Sequence, residues 1–559
     1  MSTNNNIRRR ALLGGTRNTN AHESIVEYEY PNSIIQQLPY SIQQNFIGRF
    51  GPYCIVNVNW PEGITTIDNY TFYTSCIDNN CFNNIPDTVT IIGGSAFYAC
   101  LNLSGEIILP KNLKICGDSA FKYSNNITSI TLPETDCIFG PSALYISYLS
   151  NINLSENTLY SFQGEYGLLT TPWLSSKANG NVYLGKNYYQ YKGTMPANTS
   201  VVLEEGTLSI SASAFYGKSQ LVSITIPDTV KFIGGKAFSG CTKLTEITIP
   251  KSLNKDLYEL ALESEYIRTS VGGGTSSKYF GELYSPFYSS ACTGITTVNW
   301  NAIDGYGGNS PSSMYCFLGG GNYLPNVTTI NFGPEVETIP SYLCYGLKKL
   351  TSITIPSSVK FIGYNAFNGC TGLTEITIPE TITEIYISGN ILSGCTGLTT
   401  LNYNAISVKK VDEYGGHVSN NNSNLWGTTS NLTTINIGSQ VQVIPPGFLG
   451  SGQSKITSIT IPNSVTTVED YAFYQSKLTS IDLPNSVTSI GERSFYGCSS
   501  LTSITIRATI PPTLDSSYST TFPTMSQNYK IYVPASAVDT YKTTTGWSYY
   551  SSKIQAIPS

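Results

Sequence analysis

A chain of 559 residues with a formal net charge of −5 carries charged side chains at only 12% of its positions, and it has 40 tyrosines but just two histidines, His22 and His417. A small acidic excess offers no field to a phosphate backbone or an anionic membrane surface, so no nucleic-acid partner is expected. No apolar run approaches the ~18 residues that would cross a bilayer, so no membrane insertion is expected, and hydroxyl and amide groups must cover most of the surface.

The first segment, residues 1–50, opens "MSTNNNIRRRALLGGTRNTNAHE". Arg8, Arg9 and Arg10 precede an apolar stretch, "ALLGG", that is short of the ~7–15 residues an export signal needs. The segment reads as a flexible basic tail, or as an anchor that orders on docking into a larger assembly. From 51 to 142 come weak copies of a phrase that is clear later, such as "IPDTVTIIGGSAFYACLNL" from Ile85. Residues 143–198 lose the phrase, although "NVYLGKNYYQYKG" has the alternating aromatics and central Gly of a hairpin.

Residues 199–506 carry the phrase openly: "SITIPDTVKFIGGKAFSGCTKL" from Ser223, "SITIPSSVKFIGYNAFNGCTGL" from Ser352, "SITIPNSVTTVEDYAFYQSKL" from Ser458 and "SIDLPNSVTSIGERSFYGCSSL" from Ser480. Ile224 to Ile247, Ile353 to Ile376 and Ile481 to Ile504 are each 23 residues apart, the length of one lap of a solenoid. The "ITI" triplet alternates as a half-buried strand does, with Ile224 and Ile226 inward and Thr225 outward. Pro227 ends the strand, Val230 and Ile233 form a second inward pair, and Gly234 is read as a tight bend. Ala237 and Phe238 add core, and Leu244 starts the next lap. One lap cannot bury both its faces, so stacking with strands ~4.8 Å apart is the folding mechanism.

A larger duplication overlies the small one. "VNWNAI" at Val298 returns as "LNYNAI" at Leu401, and "VTTINFGPEVETIP" at Val327 returns as "LTTINIGSQVQVIP" at Leu432, with offsets of 103 and 105 residues. Insertions fall near 254–294, 303–325 and 407–430. The first contains Leu257, Leu260, Ala261 and Ile267 at helical spacing and predicts a short helix across one rim. The other two are matched Gly/Asn/Tyr-rich loops. Their candidate contact residues, with the adjoining strand ends, are Trp300, Tyr306, Tyr315, Tyr323, Tyr403, Tyr414 and Trp426, large aromatics among Gly and Asn as in adaptable recognition loops. Part of this set is expected to pack the insertions onto the rim. Residues 507–559 read as strand, short helix from near Ser536 and final strand, a cap over the last open edge.

Chemistry is sparse. The recurrent Cys100, Cys241, Cys370, Cys395 and Cys498 are read as a column of small buried hydrophobes in preference to disulfides or metal ligands. Glu204 and Glu205 are strand neighbours facing opposite ways, the Gly-rich runs at Gly272 and Gly319 lack the Lys and Ser/Thr of a phosphate loop, and His417 has no assignable partner. No catalytic residue, metal ligand set or cofactor is expected.

The phrase from Ser480 and its relatives resembles the BspA-like leucine-rich repeat, a family of surface-exposed solenoids of gut and oral bacteria that is also found in some phages and protists. The resemblance covers 201–250 and 327–506 clearly and Trp60 to Pro133 weakly. It implies a β-rich, right-handed stack of ~23-residue coils with an α/β cap. It also implies extracellular recognition of a host-surface protein or glycan, from a cell surface or a virion such as a phage tail; the competing reading is a purely structural spacer.

Overall fold

The computed structural model describes residues 28–29, 58–60, 62–75, 77–163, 167–258, 285–305, 316–386, 390–411, 424–515, 518–524 and 527–558. Tyr306, Tyr315 and Tyr414, and most of the N-terminal segment, lie outside them. So do Leu260, Ala261 and Ile267 of the expected rim helix, of which residues 255–258 are helical.

The protein is a β-solenoid in which each lap contributes two parallel strands and a run of turns. The longer strand is the "ITI" element. Glu375–Ile378, Thr400–Tyr403 and Thr434–Ile437 form one such ladder, and Ser480–Leu483, Ser503–Ile506, Lys530–Val533 and Ile554–Ala556 form another. Register keeps like on like: Ile481, Ile504, Ile531 and Ile554 are successive partners. The alternation of buried and exposed residues along Glu375–Ile378 and Ser480–Leu483 is what period-2 geometry requires. The second strand is only two or three residues, such as Phe361–Ile362, and it stacks with Thr338–Ile339, Glu384–Tyr386 and Lys409–Val411.

Turns close the lap, and they too are bonded from lap to lap. Alternate amides, those of Ser95, Phe97 and Ala99, donate at 2.8 Å to Asp118, Ala120 and Lys122 one lap on. The geometry puts Ser95, Ser119, Ser213, Lys236, Asn365 and Arg493 in the left-handed region, with φ between 50° and 59°. Inside these turns the phenylalanines stack: Phe72 on Phe97 and Phe97 on Phe121, both at 5.2 Å between ring centres, and Phe473 on Phe495 at 5.2 Å.

Gly234 does not serve as a bend, since its φ is not positive. A Cβ there would lie 2.4 Å from the backbone N of Ala212 in the preceding lap, and Gly93, Gly117, Gly363 and Gly491 meet their neighbours at 2.4–2.5 Å in the same way. The recurrent Gly of the "IG" pair is therefore a close-approach residue, required because one lap rests directly on the backbone of the last.

The expected hairpin is present, Gly180–Leu184 running antiparallel to Asn187–Lys192, and its second strand rejoins the stack against Ser209–Ile210. The solenoid rhythm also persists past 143, because Asn151–Asn153 pairs in parallel with the strand Ile127–Thr131. At the C-terminus, Lys530–Val533, the helix Val538–Thr543 and Ile554–Ala556 form the cap, and Tyr541, Trp547 and Tyr550 are fully buried beneath it.

In one respect the long-strand face departs from expectation. Residues 352–355 and 458–461, two of the clearest "SITIP" copies, join no ladder, and Ile353 and Ile459 are only partly buried. The short-strand ladders run unbroken past both laps. Each module thus contains one lap without a long strand whose short strand still joins its ladder.

Candidate functional site

Hydroxyl and thiol groups that looked like filler in the sequence have assigned partners. In several laps the Ser or Thr before the inward Val, Leu or Ile donates to a backbone carbonyl of the previous lap: Ser252 to Val230 at 2.7 Å, Thr381 to Val359 at 2.9 Å, Ser464 to Val441 and Ser486 to Val465 at 2.6 Å. Turn carbonyls that face the core would otherwise be orphaned. The recurrent cysteines do the same on the turn edge. Cys100, Cys241, Cys292, Cys395 and Cys498 donate Sγ–H to the carbonyls of Phe72, Phe215, Phe238, Phe367 and Phe473 at 2.9–3.3 Å. Cys370 donates to Cys344 at 3.1 Å, and Ser124 makes the same bond to Phe97 at 2.7 Å. The expectation of small hydrophobes is thereby refined, since the position selects a small donor and Cys and Ser alternate there. The eleven described cysteines form no disulfide and are buried, and burial pushes thiols up, to about 11 at Cys292 and about 12 at Cys81, Cys316 and Cys395. Among the described residues no group of three His, Cys, Asp or Glu is placed to hold a metal, and no helix is long and apolar enough to cross a membrane.

Polar side chains on the long-strand face bond to one another. Asn299 donates to Glu246 and, at 3.1 Å, to Thr248, and Asn331 donates to Asn299 at 2.8 Å. The second module repeats this group for group, Asn402 to Glu375 at 2.6 Å and Thr377 at 3.2 Å, then Asn436 to Asn402 at 2.8 Å.

Three of the sequence-nominated contact residues are core. Trp300, Tyr403 and Trp426 are 0% exposed. Trp300 pairs in register with Ile249 and Phe332, and Tyr403 with Ile378 and Ile437, so each occupies an inward "ITI" position. Trp300 packs edge-on against Phe317 at 5.3 Å, and Tyr403 meets Trp426 at 5.9 Å and Phe448 at 5.0 Å. These rings clamp the roots of the insertions to the core and cannot touch a partner. The period-2 alternation that places Val298 and Leu401 inward was the signal that should have placed Trp300 and Tyr403. Their polar atoms, Trp300 Nε1, Tyr403 Oη and Trp426 Nε1, are buried without a hydrogen-bond partner. Tyr323 is half-buried and packs edge-on against Tyr288 at 5.3 Å.

A row of solvent-facing aromatics lies elsewhere, on the turn edge, where Tyr73 and Tyr98 directly follow the stacked Phe72 and Phe97 and Tyr123 stands one residue further on, after Lys122. The sequence signal was the recurring "FY" of "AFYAC", "AFYG", "AFYQ" and "SFYG". In the N-terminal laps Tyr73 stacks on Tyr98 at 4.7 Å, Tyr98 meets Tyr123 edge-on at 5.3 Å, and Tyr123 meets Tyr145 edge-on at 5.7 Å. Lys122 Nζ sits over the rings of both Tyr123 and Tyr145, at 5.2 and 5.8 Å. Tyr123 is 40% exposed and Tyr148, one turn further, 62%. Burial first, then the neighbouring phenols, raise the Tyr98 hydroxyl above its ordinary value. A shorter row, Tyr471, Tyr474 and Tyr496, lies in the C-terminal laps, with the Arg493 guanidinium over Tyr471.

A two-strand lap with a Phe-stacked turn and a thiol-capped carbonyl defines a leucine-rich-repeat solenoid. The chain belongs to the family described as the BspA type leucine rich repeat region, whose model matches residues 65–166, 185–269, 321–421 and 421–544. No curated protein matches the chain. Similar solved structures include a leucine-rich repeat protein from Bacteroides ovatus, 19% identical over 89% of this chain and 88% of that one, with a TM-score of 0.31. Others are a leucine rich cell surface protein from Faecalibacterium prausnitzii (18%, 79% and 83%, TM-score 0.25) and the pneumococcal vaccine antigen PcpA (13%, 81% and 87%, TM-score 0.27).

Proposed function

We propose that this protein is a non-enzymatic recognition scaffold that works outside the cell, on a cell surface or in a virion, and grips a protein or glycan partner along one edge of its stack. The observation that carries this reading is the tyrosine row on the turn edge. The aromatics at the roots of the insertions, Trp300, Tyr403 and Trp426, are buried, whereas this row keeps Tyr123 40% exposed among Tyr73, Tyr98 and Tyr145, and Tyr148, three residues past Tyr145, is 62% exposed. The repeat's resemblance to surface-exposed solenoids supports the setting. Tyr306, Tyr315 and Tyr414 stay in the proposal on their sequence alone, as loop contacts beside the stack.

The test is binding of the fluorescent full-length chain to intact cells and to a glycan array. A signal that falls at least tenfold in Tyr98→Ala/Tyr123→Ala supports the turn edge, and one that falls in Tyr306→Ala/Tyr414→Ala supports the insertions. A folded chain that binds no surface in either assay overturns recognition and leaves a rigid spacer.

A further inference from the structure

Resting on the recognition reading, we infer that the N-terminal tyrosine row binds an extended proline-rich segment in the polyproline II conformation. Ring orientation decides the ligand class. A sugar ring lies with its C–H face on an open aromatic face, but Tyr73 and Tyr98, within 11° of parallel at 4.7 Å, cover one face of each other, and Tyr70 and Tyr123 also pack on them at 5.7 and 5.3 Å. The faces of Tyr123 and Tyr145 carry the Lys122 ammonium. What the row turns outward is therefore ring edges, phenolic hydroxyls and one cation, that is, electropositive C–H edges and hydrogen-bond donors.

No hydrogen bond among the described residues takes up the hydroxyls of Tyr73, Tyr98 or Tyr123, and no carboxylate pairs with Lys122. The complementary ligand is apolar in its side chains, rich in unpaired acceptors and free of donors of its own. A polyproline II helix fits each requirement: its carbonyls point out unbonded, its prolines have no N–H, and pyrrolidine rings seat between aromatic ridges. The pitch also agrees. Successive ring steps of 4.7 and 5.3 Å bring a ridge back at close to the ~9 Å turn of that helix. Because the stack fixes the rings before binding and the peptide is already extended, little entropy is lost on association.

The experiment is fluorescence anisotropy of a fluorescein-labelled decaproline against the full-length chain, with a Gly-Ser peptide of equal length and a chito-oligosaccharide as parallel probes. The expected result is saturable binding of decaproline alone, weakened at least tenfold in Tyr98→Ala/Tyr123→Ala and unchanged in Tyr216→Ala, an exposed tyrosine outside the row. Tyr98→Phe keeps the stack and removes one donor, so it guards against a folding artefact and should weaken binding about threefold. Failure of decaproline to bind the wild-type chain, or equal binding of the Gly-Ser peptide, overturns the inference. Binding of the oligosaccharide instead, lost in the double variant, overturns the ligand class while leaving recognition at this edge intact. Decaproline binding that Tyr98→Ala/Tyr123→Ala does not alter rejects the row as its site.

Discussion

A cysteine and a glycine show how narrowly single positions are specified. Cys370 fills a small buried space and donates to Cys344 O, so Cys370→Ser should cost under ~1 kcal/mol, while Cys370→Val, which orphans that carbonyl and adds bulk, should cost about 2–3 kcal/mol in chemical denaturation. At Gly234 a methyl would meet backbone, so Gly234→Ala is expected to cost about 3 kcal/mol. Gly217 has a φ of +68° with open space around its Cβ, and there Ala should cost only about 1–2 kcal/mol. Tyr403→Phe removes a buried hydroxyl that has no partner and should raise the unfolding midpoint, by about 1 kcal/mol in stability. Cys and Gly recurrence was visible in the sequence. Its reason was not, because the carbonyl and the amide that select these residues come from the neighbouring lap, 21 residues away for Gly491 and as many as 54 for Cys292.

At the level of the element, the Ser/Thr that precedes the inward Val or Ile offers an internal comparison. Thr381 is bonded to Val359 O at 2.9 Å, whereas Ser358, in the lap whose strand leaves the ladder, is buried with no partner. Thr381→Val should therefore destabilise by about 1–2 kcal/mol, and Ser358→Ala should be neutral or slightly stabilising; urea unfolding of the two variants checks the pair. The "ITI" strands, the hairpin and the cap could be read from local alternation, since one buried face imposes period 2 wherever the chain is flanked by copies of itself. The laps without a long strand, at 352–355 and 458–461, could not. Their sequences match those of paired laps almost letter for letter, so nothing local to them sets the difference.

For the whole molecule the repeated thiols act together. Burial raises the folded pKa of Cys292 and Cys395 above the ordinary 9.0, so the protonated form is favoured by folding; that contribution is complete below pH 9 and is lost as pH rises through about 11 for Cys292 and about 12 for Cys395. The urea midpoint is expected to hold between pH 7 and 8.5 and fall by pH 10.5. A thiol reagent at pH 8 should leave the eleven described cysteines unmodified until the chain unfolds.

The sequence by itself determined the lap, its inward columns of Ile, Val and Phe, the doubled module and the cap, because a solenoid's neighbours in space are its neighbours in the repeat. Only the tertiary structure decided which aromatics meet solvent. Burial of a ring depends on the lap above and the lap below, and so Trp300, Tyr403 and Trp426 went into the core while Tyr73, Tyr98 and Tyr123 were left on the edge.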